Sequence, residues 1–556
     1  VQDSLTRGFI FGIAGGIIGL LINAFLIDVF EASKVAEPLW ILLGVGVAGA
    51  GLSQKKAIDY KKEIGAFLTS KIMIAVYLLT GAFVFVGASL NNFFVADDFT
   101  WLRWAASGSS KSVMTYVTDA QGFFYRPLDK TIIYALYQIF SFQPQGYHLF
   151  ALIIHFLMVW GVFLLANTIL KNRFIACISA LLFLVMPSHA ENVFWFATIS
   201  TNLASVFMIY GLLAFMHMRE KKSVIGYLFA VLCAVLALLS YEMAVIFPAL
   251  LLAVDLTWFK LRKFSWKQVG AYIPFVGLSA LYVVIRPLVH TVAAGGDYSY
   301  NMLHFIPNFF GNLYGYLGMF LFDQSFMPIY ISSRAILKVY ALPVLAIVVL
   351  ILLLVVLISR KLYRSLVQND QSRVPLFAVS FIVIALLPFI GLGNITERYG
   401  YLSSVGFVLL VGYVLLRLFN YVKRYSVQVA YTVLIGITLI LTSWYAIQLH
   451  QKSMQWNHAG EITFATLKLI RNNYDSIPDD STLYFANVPI RQAEAWIFPV
   501  GLEDGVWFIY REKPVMVKKV ATVADATIQI AGMRIEDRKK AYIFLFDHKG
   551  NVTSVK

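Results

Sequence analysis

Cysteine is nearly absent from this chain of 556 residues: Cys177 and Cys233 are the two it has, and both lie inside apolar runs. A disulfide framework and a cysteine-based metal site are thereby excluded. Charge is scarce as well, at 13% of residues against 59% hydrophobic, with a mean hydropathy of +0.73. No ordinary soluble domain of this length has such a composition. Acidic residues are the rarer sign, 30 against 45 Lys and Arg, and the net charge is +15. The basic residues, however, fall in short clusters between apolar runs, which is the positive-inside distribution and not a nucleic-acid-binding face. Nucleic acid is therefore not an expected partner. Residues 449–556 carry no 34-residue helical period. Repeated halves with ionisable residues or broken helices at mid-membrane are missing too, which argues against a transporter or flippase.

What is present is a series of apolar runs long enough to cross a hydrocarbon core, about 20 residues each. They predict spans near 8–28, 38–53, 70–89, 147–169, 174–187, 194–216, 224–240, 243–258, 268–287, 338–358, 374–393, 402–418 and 427–447, about 13 in all. The first is expected to be an anchor and not a signal peptide, because no small-residue cleavage site follows it. The run 309–322 would invert every later loop if it spanned, so it is expected as an interfacial or re-entrant helix within a flap-like outer segment, 288–337.

Orientation follows from the basic clusters Lys55 to Lys62, Lys171 and Arg173, Arg219 to Lys222, Lys260 to Lys267, Arg360 to Arg364, and Lys423 with Arg424. With the spans as placed, all fall on one side, which is expected to be cytoplasmic together with the N-terminus. The other side receives MetProSerHisAlaGluAsnVal (186–193), LeuSerTyrGluMet (239–243), AsnIleThrGluArgTyrGlyTyrLeu (394–402) and the adjacent carboxylates Asp97 and Asp98. Carboxylates, an imidazole and arginines thus converge on one face, at span ends and not at mid-membrane, which favours a site at the outer interface.

Taken in order, the acidic pair, TyrArgProLeu (125–128), GlyTyrHisLeu (146–149), ProSerHisAlaGluAsnVal, LeuLeuSerTyrGlu and GluArgTyrGlyTyrLeuSerSerValGly (397–406) resemble the GT-C glycosyltransferases. Within that superfamily they are most similar to the TMTC-type O-mannosyltransferases and their prokaryotic relatives. The resemblance covers roughly residues 70–450. Departures are Tyr241 where lysine is usual, Ser403 where proline is usual, two extra leading spans and the absence of tetratricopeptide repeats.

The resemblance implies a GT-C-like helical bundle that transfers a sugar from a polyprenyl-phosphate carrier in the membrane lipid to an extracytoplasmic acceptor, protein or glycan or lipid. One aspartate, Asp97 before Asp98, would act as base in a single inverting displacement. Arg398 and then Arg126 are the candidates for the carrier phosphate, since a guanidinium holds phosphate oxygens in a bidentate fork. Glu191, Glu242, Glu397, His189 and Asn192 are the candidates for the sugar. A divalent metal, Mg or Mn, is an optional cofactor, with Asp97, His189 and Glu191 as the ligand set open to it. Structural readings stand beside these: a helix N-cap for the aspartates, a turn for His189, a cap for Glu242 and a pairing of Arg398 with Glu397.

The fold expected is an all-α polytopic membrane protein with a small C-terminal extracytoplasmic α/β domain, located in a prokaryotic plasma membrane. Residues 1–64 form a two-span extension, 65–448 the transmembrane module with outer loops 90–146 and 288–337, and 449–556 the soluble domain. In that domain 482–489, 505–510, 526–530 and 541–547 are expected as strands and 461–472 as a helix. Alternatives to the enzyme are a non-catalytic subunit on the same scaffold, a lipid-linked glycan polymerase or ligase, and a flippase.

Overall fold

The structure is a computed structural model, which describes residues 70–259, 269–291, 305–340, 343, 370–511 and 513–555. The expected spans 8–28, 38–53 and most of 338–358, the basic clusters 55–62, 260–267 and 360–364 and the loop 292–304 lie outside the described residues. Two compact units divide the chain, Val1–Tyr77 and Leu78–Lys556, and the candidate site and the C-terminal domain belong to the second.

Six described helices are long and apolar enough to cross a membrane: Lys71–Asn91, Pro144–Leu170, Phe196–Lys221, Glu242–Phe259, Ser404–Val422 and Val427–Asn473. The pair Arg173–Leu184 and Pro187–Phe194 is long and apolar enough only when taken together, and it is bent by 58°, as in a broken span or a re-entrant loop. The bend falls at Pro187, whose ring and missing N–H stop the first helix from running on. Val224–Ser240, Ile273–Leu288 and Arg373–Leu386 are shorter apolar helices. The chain is thus a multi-pass helical membrane protein with a small C-terminal α/β region.

Periodicity explains how the spans pack. The helix Val224–Ser240 buries Ala230, Cys233, Ala234, Ala237 and Leu238, spaced as one face of a 3.6-residue helix. On its other face Val224, Ile225, Leu228, Phe229 and Leu232 are exposed, as residues turned to lipid should be. Ser223 caps the helix by accepting from the Gly226 amide at 3.1 Å, a contact worth about 1 kcal/mol. Lys222, at φ 54°, turns the chain back so that this helix packs along Ile199–Lys221.

The last helix, Val427–Asn473, has 47 residues. At 1.5 Å per residue it is about 70 Å long, roughly twice what a hydrocarbon core needs. Its first part is the predicted span 427–447; the remainder continues unbroken past residue 449, so the helix expected at 461–472 is an extension of the last span. That extension closes on the segment ahead of the acidic pair. A Cβ on Gly460 would stand 2.8 Å from the Phe93 amide nitrogen, and the Thr463 hydroxyl donates to the Phe94 carbonyl at 2.7 Å.

Beyond it, a four-stranded sheet has the order β4-β1-β5-β6, with β1 at Ser481–Ala486, β4 at Val515–Val520, β5 at Ala541–Phe546 and β6 at Val552–Ser554. β1 is parallel to both β4 and β5, and β6 closes antiparallel on β5. A separate hairpin joins β2, Arg491–Gln492, to β3, Ala495–Trp496. Strand expectations at 482–489 and 541–547 find β1 and β5. Those at 505–510 and 526–530 are overturned, because these residues lie in the helices Leu502–Ile509 and Val523–Ala531. A short apolar run fits a buried helix face as well as a strand. The capping box of Thr522 with Asp525 is the local signal for the second helix. Its Ala526 and Ile530 pack with Tyr484, Ala541 and Ile543 as the core of the domain.

Candidate active site

The acidic pair opens the helix Asp97–Ser107, and the two carboxylates face different ways because successive helical residues are turned by about 100°. Asp98 is fully buried. Its Oδ2 accepts from the Val95 amide at 3.0 Å, and its Oδ1 accepts from the Ala197 amide at 2.8 Å. It therefore fastens the segment that leads into its own helix and ties it to the start of the Phe196–Lys221 span. Burial pushes its carboxyl up to about 8, and the two amide donors pull the other way. Asp97 is half-buried, and among the described residues no donor reaches its carboxylate. Burial raises its pKa above the ordinary carboxylate value, Arg398 and then Arg126 draw it back down, and Asp504 adds to the rise.

The residue before the pair is strained. Ala96 has φ 47°, in the left-handed half of conformational space that costs about 1–3 kcal/mol for a residue with a Cβ. The C-terminal domain holds it there: the Ala96 amide donates to the Ile497 carbonyl at 2.9 Å. Gly501, itself at φ +83°, lies so close that a Cβ on it would stand 2.0 Å from the Ala96 carbonyl oxygen. Phe99 stacks on Phe498 at 6.3 Å, and Asp504 accepts from Arg103 at 3.0 Å. The orientation of Asp97 is thus set jointly by the membrane helices and the C-terminal domain.

Arg126 and Glu242 form a two-point ion pair, Nε to Oε2 and Nη2 to Oε1, each at 2.9 Å. The third nitrogen, Nη1, donates to Ser200 at 3.3 Å. The guanidinium lies over the rings of Phe124 at 4.4 Å and Tyr241 at 4.2 Å. Tyr241, which replaces the usual lysine of the resembled motif, is thus the aromatic floor of this arginine.

Glu191 is the second organising carboxylate. Its Oε2 accepts from the Arg398 amide at 3.2 Å and from Arg398 Nη1 at 3.3 Å. Its Oε1 accepts from the indole of Trp496 at 3.2 Å. The Glu191 amide in turn donates to Glu397 Oε2 at 3.1 Å. Arg398 lies 5.4 Å from the Trp195 ring centroid and 5.1 Å from that of Tyr399. Behind them Tyr399 stacks flat on Phe389 at 4.1 Å, and Trp195 stacks on Trp456 at 5.9 Å. The result is an aromatic surface studded with guanidinium groups beside Asp97.

Sequence reasoning missed the cation at the centre of this assembly. Lys452, buried on the long helix, contacts Glu397, and it pairs with Asp323 at 2.7 Å and Glu494 at 3.2 Å. It also donates to the Pro187 carbonyl at 3.3 Å. One ammonium thereby fastens four segments far apart in sequence. Burial pushes the Glu397 carboxyl above its ordinary range, with Lys452 opposing and Asp323 reinforcing the shift.

The remaining predicted residues are placed elsewhere. His189 is buried, its Nε2 lies 2.8 Å from the Ser404 hydroxyl, and its ring packs on Phe183 at 4.4 Å and Tyr401 at 4.8 Å. Asn192 donates to Asn202 at 2.8 Å inside the bundle. Among the described residues no group of three or more His, Cys, Asp or Glu side chains is placed to hold a metal ion. Of the expected set, His189 meets Ser404 through Nε2, and Glu191 accepts from Arg398 and Trp496.

No protein-family profile and no curated protein matches the sequence. Among solved structures the chain is similar to the apo Archaeoglobus fulgidus oligosaccharyltransferase, at 11% identity and a TM-score of 0.47, covering 80% of this chain and 64% of that one. It is also similar to ArnT from Cupriavidus metallidurans bound to undecaprenyl phosphate, at 11% identity and a TM-score of 0.41, covering 85% and 92%. This chain spans less than two thirds of the length of the oligosaccharyltransferase. At such values the chemistry is read from the residues of this chain.

Proposed function

We propose that this protein is an integral-membrane glycosyltransferase that moves a sugar from a polyprenyl-phosphate donor to a hydroxyl on an extracytoplasmic acceptor. The observation that carries the reading is Asp97: among the described residues it is a carboxylate at the meeting point of the motif segments that accepts no hydrogen bond, and it stands within the influence of Arg398 and Arg126. A base must keep its lone pairs available and its proton affinity raised; the lack of a donor among the described residues gives Asp97 the first, and burial gives it the second.

In this reading Asp97 takes the proton of the acceptor hydroxyl while the hydroxyl oxygen forms a bond to the anomeric carbon. The bond from that carbon to the phosphate oxygen breaks, the configuration inverts, and the carrier leaves as its phosphate. Negative charge gathers on the leaving oxygen, where fixed guanidinium groups in a site of low polarity stabilise it most. Arg398 is assigned to that phosphate ahead of Arg126, whose fork is already filled by Glu242. Trp496, half-buried at this site, is the ring open to a sugar, while Trp195 and Tyr399 are buried behind Arg398. Glu242, Glu191 and Glu397 hold the basic groups in place, and Asp98 and Lys452 hold the backbone and helices.

No step in this scheme uses a metal; activity measured after chelation and after adding back Mg or Mn tests that directly. The acceptor class follows from comparing intact masses of extracytoplasmic proteins, glycans and lipids from cells with and without the gene. A sugar missing from one class in the deletion strain identifies the acceptor, and unchanged masses in every class oppose the reading.

A further inference from the structure

The hairpin of β2 and β3 brings a third arginine to this site. Arg491 lies on Trp496 with its guanidinium carbon 3.4 Å from the ring centroid, a cation–π contact that fixes the plane of the group. Trp496 is itself pinned through its indole N–H to Glu191 Oε1, while Oε2 of the same carboxylate holds Arg398. The two guanidinium groups are therefore placed across one carboxylate, one from the membrane helices and one from the C-terminal domain. Of the other basic groups, Arg126 is forked to Glu242 and Lys452 is enclosed by its acidic neighbours, while Arg398 shares the Glu191 carboxylate with the Trp496 indole. Arg491 is exposed, and among the described residues no carboxylate lies within ion-pair distance of it.

An arginine stacked on an aromatic ring presents its N–H edge outward, ready for a planar pair of oxygens. We propose that Arg491 is a second phosphate-binding group for the polyprenyl-phosphate donor, acting with Arg398 across Glu191, so that the C-terminal domain supplies part of the donor site. This rests on the glycosyltransferase reading above and extends it to a residue outside the resembled motifs.

The experiment measures binding of undecaprenyl phosphate, with undecaprenol as the phosphate-free control, to the purified full-length protein in nanodiscs. Proteins compared are the wild type, Arg491→Ala, Arg491→Lys and Arg398→Ala. Loss of one charge-assisted contact weakens binding about tenfold or more. The proposal expects that loss for Arg491→Ala, a smaller one for Arg491→Lys, and no change in undecaprenol binding. Arg491→Ala binding undecaprenyl phosphate within twofold of wild type, while Arg398→Ala loses it, overturns the proposal and leaves the glycosyltransferase reading standing. Equal losses for both ligands overturn it as well, because phosphate is then not what Arg491 recognises. A wild type that binds no undecaprenyl phosphate overturns both. Thermal unfolding of each variant is followed alongside, and Arg491→Lys carries the test if the alanine variant does not fold.

Discussion

Asp98→Asn separates the structural aspartate from the chemical one. The substitution replaces one carboxylate oxygen with an NH2 group in a fully buried position, where both oxygens accept backbone amides, from Val95 at 3.0 Å and Ala197 at 2.8 Å. An asparagine keeps one acceptor and sets a donor against the other amide. One buried N–H is left without a partner, which costs about 1–3 kcal/mol. The pH dependence adds a second signature. Burial raises the Asp98 carboxyl from 3.8 to about 8 in the folded protein, so between those values the folded state holds a proton that the unfolded chain releases. Stability from this group is complete below the unfolded pKa and is lost as pH rises through the folded one. Relative to Asp98→Asn, the wild type should lose up to about 1.4 kcal/mol per pH unit across that window. Thermal unfolding of the full-length protein in detergent from pH 5 to pH 8.5 reads this as a gap in midpoint, widest at the acid end. A gap that does not change with pH, or an Asp98→Asn protein as stable as wild type, refutes the reasoning.

Gly501→Ala should drive its Cβ into the Ala96 carbonyl, 2.0 Å away, turning the helix that carries Asp97; transfer activity falls while the isolated spectroscopic signature of the sheet is retained, as circular dichroism would show. Glu242→Gln leaves the buried Arg126 without its counter-charge and should destabilise by about 3 kcal/mol, whereas the double change Arg126→Met with Glu242→Leu restores most of that stability though not activity, as denaturation and transfer assays together would reveal. Lys130 lies in a box of rings, 3.7 Å from the Trp101 centroid, 4.2 Å from Trp104 and 4.1 Å from Phe123, and among the described residues its Nζ has no hydrogen-bond partner. Lys130→Met keeps the packing and should change stability by less than about 1.5 kcal/mol, while Lys130→Ala opens a cavity costing about 2–4 kcal/mol; equal losses in thermal unfolding would show that the charge, not the stem, matters.

Much of the site was legible because its parts sit at span ends in a fixed order. The segments bearing Asp97, Arg126, Glu191, Glu242, Glu397 and Arg398 do meet through side-chain bonds. The pairing within that set was not legible. Arg126 reaches Glu242 across 116 positions, and Arg398 takes Glu191, not its neighbour Glu397. Nothing local encodes such distances. Lys452 was overlooked for the same reason: on a polar stretch after the last apolar run, a lysine looks like a solvated face. Its partners Asp323 and Glu494 come from segments read as a flap and as part of the soluble domain. Trp496 and Arg491 belong to a two-residue-per-strand hairpin, too short to show alternation. His189 and Asn192, polar residues inside a resembled motif, are placed in the interior of the bundle against Ser404 and Asn202.

The central claim is that Asp97 is the base of a sugar transfer from a lipid phosphate. Purified full-length protein, supplied with a polyprenyl-phosphate sugar and the acceptor class found by mass comparison, is assayed for carrier phosphate released and sugar transferred, for wild type and Asp97→Asn, across pH. The account predicts equal release and transfer by the wild type, with an acid limb above the ordinary carboxylate range because the Asp97 pKa is raised. It predicts a loss of about 10²-fold or more in Asp97→Asn with the thermal midpoint unchanged. Wild-type rates in a folded Asp97→Asn protein contradict it.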